Sequence, residues 1–145
     1  MNLSVCMMVK NEEENLARCL SSFANVKGFC DELIVVDTGS EDKTPDIARS
    51  FGATVKFNPW RDDFSWARNK SFSYANGDWV LYIDADEEMV AEPEALLALK
   101  REIAGEKRYN AFTVEMEDII QGQCRSRFAT PRIFRRGCVK FQQLI

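Results

Sequence analysis

The residues with the clearest chemical potential are two aspartates one residue apart, Asp84 and Asp86, at the end of the apolar run Trp79-Val80-Leu81-Tyr82-Ile83. In an extended segment residues i and i+2 point to the same side, so the spacing predicts that both carboxylates reach one ligand. Mg2+ and Mn2+ take oxygen donors, and Mg2+ is commonly held by one or two carboxylates together with substrate phosphates. The competing reading is a solvated acidic turn, because Asp is a frequent turn residue. Asp37 follows a second apolar run, Leu33–Val36, and opens Asp37-Thr38-Gly39-Ser40. Its carboxylate is either an acceptor for a base or ribose or a cap for the loop from Gly39 to Thr44. Arg68 carries a planar fork that suits a diphosphate; the alternative is a surface ion pair. Trp60, Phe64 and Trp66 read as packing residues.

Several chemistries are absent. The chain has no histidine, which removes Ser-His-Asp and Cys-His nucleophiles, His-ligated zinc and histidine acid–base catalysis within it. No GxGxxG follows the first apolar run and no GxxxxGK[ST] occurs, so the phosphate loops of dinucleotide-binding and P-loop proteins are missing.

The elements that must position these residues follow from periodicity. Leu3–Val9 reads as a buried strand. Leu16, Cys19, Leu20 and Phe23 recur at helical spacing behind an acidic start, Glu12, Glu13 and Glu14. Leu33–Val36 is a second strand. Thr44 as N-cap with Pro45 predicts a short helix closed by Gly52. Thr54–Phe57 is a third strand. Phe64, Ala67, Ser71 and Tyr74 mark a helix closed by Gly77. Trp79–Ile83 is a fourth strand, and Pro93 opens a helix carrying Leu96, Leu99 and Ile103. Ala111–Met116, Arg132–Phe134 and Val139–Phe141 read as further strands. Strand–helix alternation predicts an α/β domain with a mostly parallel central sheet and helices on both faces. Such sheets bind ligands at the carboxyl ends of their strands, near the point where strand order reverses. Lys10-Asn11-Glu12, Asp37 and Asp84-Ala85-Asp86 all sit at strand ends.

At 145 residues the chain is the size of one domain. Residues 100–145 hold 10 basic against 5 acidic residues, a net of +5, whereas residues 1–99 hold 9 against 18, a net of −9. Arg125, Arg127, Arg132, Arg135 and Arg136 are candidates for facing an anionic ligand or partner. The acidic front argues against nucleic-acid binding. Five cysteines, an odd number without CxxC, read as reduced and mostly buried. No apolar stretch reaches the roughly 18–20 residues of a transmembrane segment, and Asn11 with Glu12–Glu14 interrupts any secretory leader. A cytoplasmic protein, or one peripheral to the inner face of the membrane, is the expectation.

Three segments in register resemble family 2 glycosyltransferases of the nucleotide-sugar-binding (GT-A, Rossmann-like) fold. Ser4-Val5-Cys6-Met7-Met8-Val9-Lys10-Asn11-Glu12 with Leu16 resembles the opening strand and helix start. Ile34-Val35-Val36-Asp37-Thr38-Gly39-Ser40-Glu41-Asp42-Lys43-Thr44 resembles the second motif. Ala67-Arg68-Asn69 with Asn76-Gly77-Asp78-Trp79-Val80-Leu81-Tyr82-Ile83-Asp84-Ala85-Asp86-Glu87 resembles the DxD block. Trp60-Arg61-Asp62-Asp63-Phe64-Ser65 is similar to the branch of lipopolysaccharide-core glucosyltransferase-like and peptide S-glycosyltransferase-like proteins.

The resemblance implies metal-dependent, inverting transfer of a sugar from a nucleoside diphosphate sugar, UDP-sugar at the family level. The acceptor would be a glycan, lipid-linked saccharide or peptide. It implies that Val9, Asn11 and Glu12 border the base and ribose and that Asp37 bonds the base. Arg68 would approach the diphosphate, Asp84 would hold the ribose or metal-side water, and Asp86 would bind Mg2+ or Mn2+. The family's base comes well after the DxD block, and this chain ends 59 residues after Asp86. Glu115, Glu117 and Asp118 are the carboxylates beyond Glu106, and none is assigned as base. The expectation is therefore one GT-A-like domain, 1–145, with a donor-binding half over 1–90 and an incomplete start of the acceptor half over 91–145. Two alternatives accompany it. One is a nucleotide-sugar-binding fragment without turnover. The other is a haloacid dehalogenase-like phosphotransferase, whose nucleophile strand Leu81–Asp86 also imitates.

Overall fold

A computed structural model describes residues 1–142. Six strands and four helices alternate as β1 (Leu3–Val9), α1 (Leu16–Ser21), β2 (Glu32–Asp37), α2 (Thr44–Ser50), β3 (Thr54–Phe57), α3 (Phe64–Ser73), β4 (Trp79–Tyr82), α4 (Pro93–Gly105), β5 (Ala111–Ile120) and β6 (Gln123–Arg135). One sheet has the order β3-β2-β1-β4-β6-β5. The first four strands run parallel; β6 returns antiparallel to β4 and forms a hairpin with β5. The expected mostly parallel α/β sheet is therefore present, with an antiparallel pair on one side.

β1 and β2 are continuous apolar runs because both of their faces are covered. Leu3, Val5, Met7 and Val9, with Leu33, Val35, Trp79 and Leu81, pack under Leu16, Cys19 and Leu20 of α1 and Leu96 and Ile103 of α4. Cys6, Ile34, Val36 and Val80 turn to the other face, where Phe72 of α3 and the following Tyr74 and Ala75 cover them. Each fully buried Val, Leu or Ile contributes about 1.5–3 kcal/mol, which makes β1, the central strand, the anchor of the site.

Local signals shifted in several places. Glu12, Glu13 and Glu14 precede α1 rather than forming its first turn. Lys43, not Thr44, is the N-cap of α2; the Thr44 hydroxyl instead accepts from the Glu12 N–H at 2.8 Å. Gly77 does not close α3, which ends at Ser73 with Tyr74 as its C-cap. Its missing side chain serves a close approach: a Cβ there would lie 2.7 Å from Ser4 Oγ. Residues 139–141 form no strand, because the Asn69 side chain takes both main-chain bonds of Phe141, donating to its carbonyl at 2.8 Å and accepting from its N–H at 2.9 Å.

Candidate active site at the strand carboxyl ends

The chain passes from β1 outward through β2 to β3, then returns to the other side of β1 as β4. The reversal lies between β1 and β4, where an open α/β sheet presents its ligand crevice. Val9 pairs with Asp37 in register, so the ends of β1 and β2 are level. The loops that follow are laced together. Asn11 adopts φ 52°, which Asn tolerates better than most residues. It donates its N–H to Ser40 Oγ at 2.9 Å and accepts from the Glu41 N–H at 2.8 Å. Thr38 donates its N–H to the Val9 carbonyl at 3.0 Å. Glu12 meets Thr44 as described and accepts from Asn15 Nδ2 through its own carboxylate at 3.0 Å.

Asp37 is 1% exposed. Its Oδ1 accepts the N–H groups of Gly39 and Ser40, both at 2.8 Å. Its Oδ2 is buried and has no partner among the described residues. A buried polar atom without a partner costs stability, so Oδ2 marks a position where an external donor would be satisfied. The loop-cap role thus falls to Oδ1, and Oδ2 is left without a partner among the described residues.

Across β1, Asp84 follows β4. It does not continue the strand: the Glu87 N–H donates to the Asp84 carbonyl at 3.1 Å, closing a turn over residues 84–87. The same-side spacing expected for an extended pair is lost, because β4 ends at Tyr82. Asp84 is half-buried and Asp86 exposed. Asp84 Oδ2 accepts from the Tyr82 hydroxyl at 2.9 Å, and Tyr82 in turn accepts from Arg68 Nη2. Burial first, and the Asp84 charge next, push the Tyr82 hydroxyl up to about 12, so it keeps the proton it donates. The Arg68 guanidinium carbon lies 3.9 Å from the Tyr82 ring centroid, and its Nε is buried without a partner among the described residues.

Tyr82, Glu87 and Arg132 also take part, the first two without a role read from the motifs and Arg132 read only as a candidate for facing an anionic ligand or partner. Glu87 accepts from the Asp84 N–H at 2.9 Å and from Arg132 at 2.5 Å. Burial raises its carboxyl above the usual range, against the pull of the Asp84 N–H and Arg132. Arg132, 9% exposed, reaches from β6. Tyr82 links the two arginines. A charged residue beside Ile133 and Phe134 was the available signal for Arg132, and a polar-headed aromatic just before the aspartates was the signal for Tyr82. The other arginines do not gather here. Arg127 is exposed and pairs with Glu117 at 2.9 Å, Arg125 is exposed on the hairpin, and Arg135 and Arg136 bond near Asn110 and Gly77 at the opposite end of β4. Phe64 is 68% exposed and therefore not a core residue. Trp60 and Trp66 are half-buried, under Phe64 and Arg61 respectively.

The donor set fits a hard cation. Asp86 takes no hydrogen bond or ion pair among the described residues, and Asp84 Oδ1 is likewise uncommitted. No cluster of three or more His, Cys, Asp or Glu side chains suited to a metal occurs among the described residues, so phosphate and water oxygens would complete the shell, as is common for Mg2+.

The profile of glycosyl transferase family 2 matches residues 4–137. The chain belongs to glycosyl transferase family 2. This family 2 chain is 46% identical over 143 residues to a TPR repeat-containing protein of Synechococcus elongatus, covering 97% of the chain and 34% of that protein. It is 37% identical over 150 residues to an uncharacterized glycosyltransferase of Rickettsia typhi, covering 99% and 49%. Over 82 residues it is 40% identical to the SPbeta prophage-derived glycosyltransferase SunS of Bacillus subtilis, covering 55% and 19%. The chain thus spans half or less of the length of these relatives. Glucosyl-3-phosphoglycerate synthase from Mycobacterium tuberculosis, solved in complex with uridine diphosphate, is similar with a TM-score of 0.62 at 28% identity, over 76% of this chain and 42% of that one. Its complex with Mn2+, UDP-glucose and glycerol 3-phosphate gives 0.53 at 31%, over 60% and 35%. The expected GT-A fold is therefore established, and a haloacid dehalogenase-like reading has no remaining support.

Proposed function

We propose that this chain binds a nucleoside diphosphate sugar, with UDP as its nucleotide, for transfer of the sugar to an acceptor with inversion at the anomeric carbon. The observation that carries the reading is the unpartnered buried Oδ2 of Asp37 at the strand-end crevice, facing the ring N–H or ribose hydroxyl of a nucleoside. Val9, Asn11 and Glu12 form the rim on the β1 side. Arg68, held against Tyr82, supplies positive charge on the β4 side for the diphosphate. Asp86, with Asp84 beside it, would hold Mg2+ or Mn2+; when bound, that ion neutralises charge on the departing diphosphate. The acceptor oxygen attacks the anomeric carbon as the bond to the β-phosphate oxygen breaks, and the acceptor's proton leaves to a carboxylate base. A uridine diphosphate-bound relative of the same fold supports the choice of nucleotide.

Calorimetric titration of the chain with UDP and UDP-glucose, with and without Mn2+, tests the reading. Wild type should bind UDP more tightly with Mn2+, and Asp86→Ala should lose that gain while remaining folded. Absence of UDP binding in wild type, or an unchanged Mn2+ effect in Asp86→Ala, overturns it. A donor-hydrolysis assay in parallel separates turnover from binding alone.

A further inference from the structure

The turn that carries Asp84 and Asp86 is held by one side chain from a distant strand. Arg132 reaches from β6 and contacts two residues of the turn and the Tyr82 ring that precedes it. Its Nη2 pairs with Glu87 Oε1 at 2.5 Å. Its Nη1 lies 3.6 Å from Asp84 Oδ2. Its guanidinium carbon stands 4.3 Å from the Tyr82 ring centroid. Glu87, the Arg132 partner, in turn accepts the Asp84 N–H at 2.9 Å. The turn is therefore bound twice, from Arg132 to Glu87 to the Asp84 main chain and from Arg132 to the Asp84 carboxylate. Neither route touches Asp86, which is left exposed at the outer corner.

We infer that Arg132 is a positioning residue: it latches the 84–87 turn to β6 so that the Asp84 and Asp86 carboxylates are fixed in place before a cation and diphosphate arrive. The charge arrangement supports this. Asp84, Asp86, Glu87 and Glu88 crowd one turn, and mutual repulsion would spread it. Arg18 pairs with Glu88 from the α1 side, which leaves the inner pair, Asp84 and Glu87, to Arg132. Arg132 is too buried to be a free surface charge, and its Nε and Nη1 lack hydrogen-bond partners among the described residues, so the residue is held by the acids and the Tyr82 ring. A side chain that orients metal-ligand carboxylates is typically worth roughly 10- to 100-fold in metal affinity.

The inference rests on the metal-dependent donor reading above, and three variants test it: Arg132→Lys, Arg132→Met and Arg132→Met/Glu87→Gln. Two measurements are made on the 145-residue chain: UDP affinity with and without Mn2+, and the amide nitrogen–proton resonances of residues 84–87 without ligand. Arg132→Met should lose roughly tenfold or more of the Mn2+-dependent gain, keep metal-free UDP affinity within about twofold, and shift the Asp84 and Glu87 amides. Arg132→Lys, which keeps charge but not the fork, should fall between. In the double variant the neutral side-chain amide at position 87 removes the unpaired buried charge but the link to β6 is still missing, so the Mn2+-dependent gain should stay reduced. An Mn2+ gain unchanged in Arg132→Met overturns the inference. Equal losses with and without Mn2+ also overturn it, because they indicate a general structural role. Recovery of the wild-type Mn2+ gain in the double variant overturns it too, because the loss then comes from an unpaired Glu87 charge and not from the missing link to β6. If wild type shows no Mn2+ effect, the donor reading fails, while the amide positions still report whether the latch exists.

Discussion

Asp37 allows one substitution to separate folding from recognition. Asp37→Ala deletes the acceptor of two main-chain N–H groups, Gly39 and Ser40, each bonded at 2.8 Å. Hydrogen bonds to a charged group are worth about 1.5–3 kcal/mol each. Loss of both is partly offset by removing the buried, unpartnered Oδ2, so the net cost is about 2–3 kcal/mol. At about 2–4 °C per kcal/mol for chains of this size, the melting temperature should fall by about 5–10 °C. Asp37→Asn behaves differently. The two N–H groups hold the amide oxygen on their side, so stability changes by less than about 1 kcal/mol. The amide nitrogen must then occupy the Oδ2 position, where it presents a donor to the nucleoside donor. A mispaired buried polar group costs about 1–3 kcal/mol, which weakens UDP binding by about 5- to 150-fold. Differential scanning calorimetry and UDP titration of the two variants form the assay. UDP affinity in Asp37→Asn equal to wild type refutes the assignment of Oδ2 to the nucleoside. Equal destabilisation of both variants refutes the division of labour between the two oxygens.

Two further outcomes follow from packing and burial. Gly77→Ala places a Cβ 2.7 Å from Ser4 Oγ and 2.8 Å from Asn2 O and Ser4 N; overpacking of this kind costs about 1–3 kcal/mol, read as a lower urea midpoint at unchanged slope. Burial pushes the Cys6 and Cys19 thiols up to about 12, with Glu32 adding to Cys6 and Glu87 to Cys19. Because the thiolate is the reactive form, both should resist a thiol reagent at pH 8 while exposed Cys124 and Cys138 react at once, and four or five rapid equivalents in native protein would contradict this.

The parallel half of the fold is legible because buried strands leave continuous apolar runs and helices leave 3.6-residue spacing. β1, β2 and β3 fall where Leu3–Val9, Leu33–Val36 and Thr54–Phe57 place them, to within a residue. The hairpin is legible only at its base. β5 runs to Ile120 and β6 starts at Gln123, far beyond 111–116 and 132–134, because both faces of the outer half are exposed and no burial alternation is imposed. Its turn, Gln121-Gly122 with φ of 52° and 74°, suits the twist of a two-residue hairpin. Pro131 sits next to a register shift, where a strand tolerates a missing donor. At the site, Asp37, Asp84 and Asp86 stand out in the sequence because polar residues end apolar runs. The Glu87–Arg132 pair does not, because it joins residues 45 apart, and no local pattern encodes that contact.

The strand order also has a kinetic meaning. β4 is flanked on one side by β1 and on the other by β6, with Leu81 paired to Ile133. During synthesis the Trp79–Tyr82 edge emerges long before its second neighbour exists. Non-local pairing of this kind slows folding and leaves strand edges open to other chains. Docking of the β5–β6 hairpin onto β4 is therefore the non-local step, and slow translation would lengthen the time for which that edge is open to misassembly. The same docking event would bring Arg132 to the 84–87 turn.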